Sequence, residues 1–178
     1  MEFVTADYSF LNADLAGLYK APMPDEPYAK VQFPAGSRRS GVLTHASMLT
    51  QTSKPIDTSP TSRGLFVREQ LLCQHVPQPP PGVNTNLPEP TEEKPQTHRE
   101  RLSIHLTNDS CASCHKLIDP IGFGLEHFDA VGAYQEKFRV VITDGKNAKP
   151  VKQVELPIDT NGLIAGLKNS EFSDPRHP

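Results

Sequence analysis

Tryptophan is absent from this chain of 178 residues and the apolar types make up only 36% of it, so its side chains can fill no more than a modest core. Glycine is scarce beside proline, 11 against 18, and that imbalance marks long stretches of irregular backbone rather than extended helices or sheets. No apolar run reaches the roughly 20 residues of a membrane-spanning helix. Positive charge is not in excess either. The 18 Lys and Arg stand against 21 Asp and Glu, a formal charge of −3, which excludes the basic surface that nucleic-acid binding requires. No internal repeat is visible, which argues against solenoids and propellers. Glu2 follows Met1 without a basic or apolar leader segment, and no export signal is legible.

What is present reads as short elements strung on loop. The opening segment TADYSFLNADLAGLYKA puts Phe10, Leu11, Leu15, Leu18 and Tyr19 on one side of a helix of about 13 residues, with Thr5 as its N-cap. A second short helix is expected over Val42 to Leu49. Ser59 before Pro60 is a cap followed by proline at the first helical position. It opens a helix with Leu65, Phe66, Leu71 and Leu72 on its apolar face, ending near Cys73. The stretch from Pro77 to Pro95, residues 77–95, is too proline-rich for helix or central strand and reads as an extended, solvated strap. Thr97 and Glu100 form a T-x-x-E capping box for a helix running towards His105. Further on, Gly124 to Val131 suggests a short helix. Phe138 to Thr143 reads as a strand, with an Asp144-Gly145 turn and a return strand over Val151 to Leu156. From Asn161 the pattern is weak.

The chemistry lies in Cys111-Ala-Ser-Cys114-His115, a C-x-x-C-H sequence of the kind that attaches a c-type haem. Two thiols three positions apart on the first turn of a helix can each bond one vinyl-derived carbon of a single porphyrin, and the next residue brings its imidazole under the iron. The other ring nitrogen of such a ligand needs an acceptor to fix its tautomer. The carbonyls of the following IDPIG segment are near enough to supply one, with Pro120 the first choice. Cys73, Cys111, Cys114 and His115 also make a complete Cys3His set for tetrahedral zinc, although Cys73 stands alone rather than in a second tight pair. A thioredoxin-like dithiol lacks the surrounding βαβ pattern.

The sixth iron position is open on sequence grounds. No Met follows His115, so a distal Met far downstream is excluded; the candidates are His105, Met48, His98, His127, His45 and His75. His105, at the end of the capped helix, is the first of these, and Met48 the alternative, with an apolar core Met as its plainer reading. Arg63, Arg68, Arg99 and Arg101 are candidates to pair with haem propionates. Glu126 and Asp129 lie three apart, as an acid/base pair would, but solvated helix carboxylates are the commoner reading. Asp119 before Pro120 reads as a turn former, and Cys73, if not a ligand, as a small buried residue or a haem neighbour.

The segments RRSGVLTHASMLTQTS, TSPTSRGLFVREQLLCQHVPQPPPGV and RERLSIHLTNDSCASCHKLIDPIGFGLEHFDAVGAYQ together resemble the planctomycete-type cytochrome-like proteins, large exported chains built partly from domains of unknown function. The resemblance runs from about Gly41 to Gln135. It implies c-type haem and a redox role, and it supplies no substrate. TADYSFLNADLAGLY is similar to the end of the preceding module in such proteins, and PIDTNGLIAGLKNSEF to the start of the following one.

The resulting expectation is a mainly α, loop-rich, cytochrome c-like haem domain with a small β hairpin near the C-terminus. Residues 1–40 would close a preceding helical module, 41–135 form the haem c domain including the strap, and 136–178 hold the hairpin and begin the next module. One covalent haem c is expected on Cys111 and Cys114, with His115 as proximal ligand, working in electron transfer with a redox partner protein or other domains of the same parent chain. Haem attachment is extracytoplasmic chemistry, so the chain is expected to be part of a longer exported protein, periplasmic or at the cell surface. The alternatives are a haem enzyme or sensor with an open sixth site, and a zinc-stabilised structural module.

Overall fold

The structure, a computed structural model, describes residues 2–79, 81–82, 87–144, 149–168 and 170–173. It is a mixed, loop-rich fold of short helices and two-stranded antiparallel pairs. In chain order these are helix α1 (Glu2–Thr5), strand β1 (Tyr8–Leu11), helix α2 (Ala13–Tyr19), strand β2 (Ala29–Gln32), a 3-10 turn (Val42–Thr44), and helices α3 (Ala46–Gln51) and α4 (Pro60–Phe66). The last continues as a wider π turn (Val67–Leu71). Helix α5 (His98–Leu102), a 3-10 turn (Ser103–Leu106), helix α6 (Asp109–Phe123) and strands β3 (Lys137–Thr143), β4 (Pro150–Pro157), β5 (Gly162–Leu163) and β6 (Glu171–Phe172) complete it. β1 pairs with β2, β3 with β4 and β5 with β6.

The expected caps are in place. Ser59 Oγ accepts from the Ser62 amide with Pro60 at the first helical position, and Thr97 and Glu100 close both halves of a capping box on α5. Strand β3 alternates as a half-buried strand should: Phe138, Val140 and Ile142 point inward against Val154, Leu156 and Ile158, and Phe138 faces Leu156 across the ladder. Gly145, the second residue of the expected turn, lies outside the described residues. Among the described residues three small apolar clusters form, beside further buried apolar residues such as Val67, Ile118, Ile121 and Phe123 around α4 and α6. One joins β1, α2 and β2, a second gathers Met48, Leu49, Leu125 and Phe128, and the third is the inner face of β3.

The pair that positions the cysteine motif is α4 against α6, whose backbones touch. A Cβ on Gly64 would lie 1.8 Å from the Ile118 carbonyl oxygen, and one on Gly122 would lie 1.8 Å from the Pro60 carbonyl oxygen, so only glycine permits the approach at either crossing point.

Two helices expected from sequence are different. The single opening helix is instead α1, strand β1 and α2. Asn12 rather than Thr5 caps α2, accepting from the Leu15 amide, and Tyr8–Leu11 is drawn into pairing with Ala29–Gln32. The strand's alternation then turns Phe10 outward, where it stacks on Tyr28, while Leu11 is fully buried. Gly124 to Val131 is not helical. Its amides make i+3 turns, and the carbonyls of Leu125, Phe128 and Asp129, which a helix would satisfy internally, accept from the Arg63 guanidinium at 2.8 Å each. Among the described residues of the strap no regular element forms; Arg101 Nε pins it through the Pro88 carbonyl at 2.9 Å.

Gly64→Ala should cost about 2–3 kcal/mol or prevent folding, because neither backbone can give way. Gly17→Ala, in α2 with nothing within 4 Å of the added methyl, should instead raise stability by about 0.5–1 kcal/mol. Urea midpoints of the two variants at unchanged m-value measure the contrast.

Candidate functional site

Helix α6 starts where its sequence says it should. Asn108 accepts from the Ser110 amide, and Asp109 adds a carboxylate to the first turn, where the helix dipole favours negative charge. Cys111, Cys114 and His115 therefore share one continuous helix within two turns of its N-terminus. Both thiols are free and partly exposed. The helix continues through Pro120, so His115 and Asp119 fall one turn apart. Their pairing is tight: His115 Nδ1 is 2.7 Å from Asp119 Oδ2, the two side chains being 19% and 4% exposed. A carboxylate only accepts, so Nδ1 carries the ring proton and Nε2 is left with the lone pair that a metal would take. The other Asp119 oxygen accepts from Thr61 Oγ1 at 2.8 Å, across the α4–α6 contact.

This corrects two expectations. The acceptor for the second ring nitrogen is the Asp119 carboxylate and not a carbonyl at Pro120, which lies inside the helix with its carbonyl against β5, where a Cβ on Gly162 would come within 2.6 Å. Asp119 is accordingly a buried helical residue and not a turn former.

His105 stands beside the motif, its ring 4.3 Å from that of His115 at 57°. Its Nδ1 is buried without a hydrogen-bond partner, and burial, aided by the neighbouring His115, holds its pKa below the usual histidine value. Two imidazoles on opposite faces of one metal, with bonds of about 2 Å, hold their centroids roughly 6 Å apart. The observed contact is closer than that, so trans ligation requires the rings to separate. Met48 lies in the core with Leu49, Leu125 and Phe128, and its Sδ accepts from Thr52 Oγ1 at 3.6 Å. His127 Nδ1 is hydrogen-bonded to the Gln135 carbonyl, His45 precedes α3, and His75 is exposed beside Glu69.

Among the described residues no three of His, Cys, Asp and Glu gather as a metal site. Cys73, Cys111, Cys114 and His115 are all described and do not form a zinc set. Cys73 is exposed, in left-handed backbone after the π turn, which also corrects its reading as buried. The arginines expected near propionates are engaged elsewhere. Arg63 is fully buried on carbonyls, and Arg68 donates to the Leu117 and Ala165 carbonyls and to Gln74. Arg99 pairs with Asp159, and Arg101 holds the strap. An open groove of about 420 Å³ runs between the strap and α5, lined by residues that include Pro88, Lys94, Glu100 and Ile104. None of the motif residues borders it.

The model of a family described as PSCyt3, protein of unknown function (DUF1588), matches residues 39–138, and places the chain among cytochrome-like domains of unknown function. The chain belongs to that family. No curated protein and no solved structure matches it.

A second constellation was not legible in the sequence. His98, first residue of α5, is 3% exposed and clamped between two carboxylates, Nε2 to Asp57 Oδ2 at 2.9 Å and Nδ1 to Glu126 Oε2 at 2.8 Å. Thr58 Oγ1 donates to the same Glu126 oxygen at 3.1 Å, and Arg63 Nη1 is 3.4 Å from the other. With both ring nitrogens donating, His98 is an imidazolium and has no lone pair for iron. Glu126 is a buried partner of two cations rather than a solvated helix carboxylate, and Asp129 is the turn former, its Oδ1 accepting from the amides of Val131 and Ala133. Burial pushes the His98 pKa down, but the hydrogen bonds and charges of Asp57 and Glu126 outweigh it and raise it to about 9. Burial likewise pushes Asp57 up, and the His98 contact wins, holding it below 3.8.

The signs fix a pH window. A histidine whose folded pKa is raised from 6.5 to about 9 stabilises fully below 6.5, and its contribution is lost as pH climbs through 9. Asp57, being lowered, contributes above 3.8 and loses its contribution as pH falls below. Chemical denaturation across pH should show stability falling between pH 6.5 and 9 in the native chain. That alkaline slope should be much reduced in His98→Ala, itself destabilised by about 2–4 kcal/mol through the lost imidazole contacts of the buried Glu126, which keeps only Thr58 and Arg63.

Proposed function

We propose that this chain is a c-type cytochrome domain that holds one haem covalently on Cys111 and Cys114, with His115 as the proximal ligand, and serves electron transfer. The observation that carries the reading is the shared helix: two free, partly exposed thiols precede an imidazole whose Nδ1 is engaged and whose Nε2 is left to coordinate. When bound, the group supplies a one-electron iron couple. The chain's own part is to hold that couple and limit access to it. Cys111 and Cys114 fix it to α6, Asp119 fixes the His115 tautomer, and the buried links from α4 keep α6 in place. Among the described residues no nucleophile–base constellation accompanies the motif beyond its own thiols and the neighbouring His105, and electron transfer to a partner protein or to other domains of the same parent chain is the preferred role. Covalent attachment implies an exported location, periplasmic or at the cell surface. No helix among the described residues is long and apolar enough to cross a membrane.

The sixth position divides the reading in two. His105 is the first candidate by proximity and Met48 the alternative. The close His105–His115 contact favours a second reading, a haem enzyme or sensor in which the chain contributes His115 alone and the sixth position is open to peroxide or a diatomic ligand.

Protein matured in a haem c-competent host should show a Soret band and a polypeptide mass increased by one haem that survives denaturation. Colourless protein would overturn the proposal. Changing Cys111 and Cys114 together to Ala should abolish the attachment, and His115→Ala should leave at most a weakly liganded group. His105→Ala should convert a low-spin spectrum to high-spin only if His105 is the sixth ligand, and a high-spin native spectrum would establish the open-site reading in its place.

A further inference from the structure

The acceptor that Asp119 offers to His115 is a carboxylate that is buried and fixed from two sides. The Asp119 side chain is 4% exposed, its Oδ2 lies 2.7 Å from His115 Nδ1 and its Oδ1 takes the Thr61 hydroxyl at 2.8 Å. A backbone carbonyl in that place would offer a partial charge only. In so dry a position the carboxylate's field on the ring is weakly screened, and an anionic acceptor strengthens the hydrogen bond and raises the basicity of the ligand. Thr61 does not belong to the cysteine helix. It arrives from α4 through the crossing that Gly64 and Gly122 make possible, so the strength of the acceptor is set by helix packing.

We infer that Asp119 is a positioning residue that makes His115 an electron-rich ligand and holds the iron at a low midpoint potential, with the Thr61 hydroxyl moderating the effect from α4. The inference rests on the haem reading above. A more basic proximal imidazole stabilises ferric over ferrous iron, and the hydrogen bond from Thr61 withdraws part of the carboxylate charge that would otherwise reach the ring. The two neighbours of Asp119 thus act in opposite directions on one observable.

The test is a redox titration of the full chain matured in a haem c-competent host, native and as Asp119→Asn and Thr61→Val. Asn keeps the size of Asp and removes the charge, so its midpoint potential should rise. A tenfold loss of ferric preference is about 59 mV for one electron. Thr61→Val keeps the shape and frees the carboxylate, and should lower the potential. A role in packing alone would lower the melting temperature of both variants without moving the potentials apart. Unchanged potentials on covalently loaded protein would overturn this inference and leave the haem reading standing, whereas failure of the native chain to carry covalent haem would overturn both. If Asp119→Asn does not mature, Thr61→Val decides alone: a fall supports the inference and no change overturns it.

Discussion

The backbone contact between α4 and α6 is the constraint on which most of the molecule depends. Two helices ordinarily pack 8–10 Å apart with side chains between them. Here glycine stands at both crossing points, and carbonyl oxygens of each helix occupy the space a methyl group would need. That closeness lets the short Thr61 side chain reach Asp119, and it sends the Arg63 side chain past α6 into the turns that follow it. The orientation of His115 is thereby tied, through Asp119, to a helix some fifty residues earlier in the chain. A site on one helix is held by two.

Around this crossing the chain relies on buried cations. Arg63 donates to three carbonyls of the turns after α6, of which Leu125 and Asp129 also accept a backbone amide, and stands beside Glu126, which in turn holds His98. Arg39 does comparable work for the N-terminal elements. Its guanidinium donates to the Thr44 and Gly132 carbonyls and lies 3.9 Å from the centre of the Tyr19 ring, with Phe128 on its other contact. Such groups are costly to desolvate and are retained where hydrogen bonds repay most of that cost, as the four oxygens around the two terminal nitrogens of Arg63 do while its Nε is buried without a partner. They specify geometry where apolar area is too small to do so.

Local chemistry made part of this legible beforehand. The Ser59 and Thr97 caps, the helix through the cysteine motif and the β3–β4 hairpin rest on signals that neighbouring residues carry, and each is found in the structure. The expectation of a largely helical, loop-rich chain holds as a mixed fold with small strand pairs. What escaped depends on partners distant in sequence. Nothing near Tyr8 announces Ala29–Gln32 as its strand partner, and nothing near Gly124 announces that Arg63 will take the carbonyls that a helix needs. His98 looked like one more candidate ligand because Asp57 and Glu126 lie 41 and 28 residues away. Asp119 was the nearest miss: its spacing of four from His115 was visible, but the proline after it argued for a turn.

The spread of apolar burial over several small clusters among the described residues, with buried cations between some of them, also governs how the molecule should respond to temperature. The heat capacity of unfolding grows with the apolar surface released and is reduced by the polar surface released. A chain cohering through guanidinium–carbonyl and imidazolium–carboxylate contacts releases comparatively little of the first and more of the second. Its curve of stability against temperature should therefore be shallower than that of a domain of the same length organised around one large core, so that modest changes of temperature alter its folded population less.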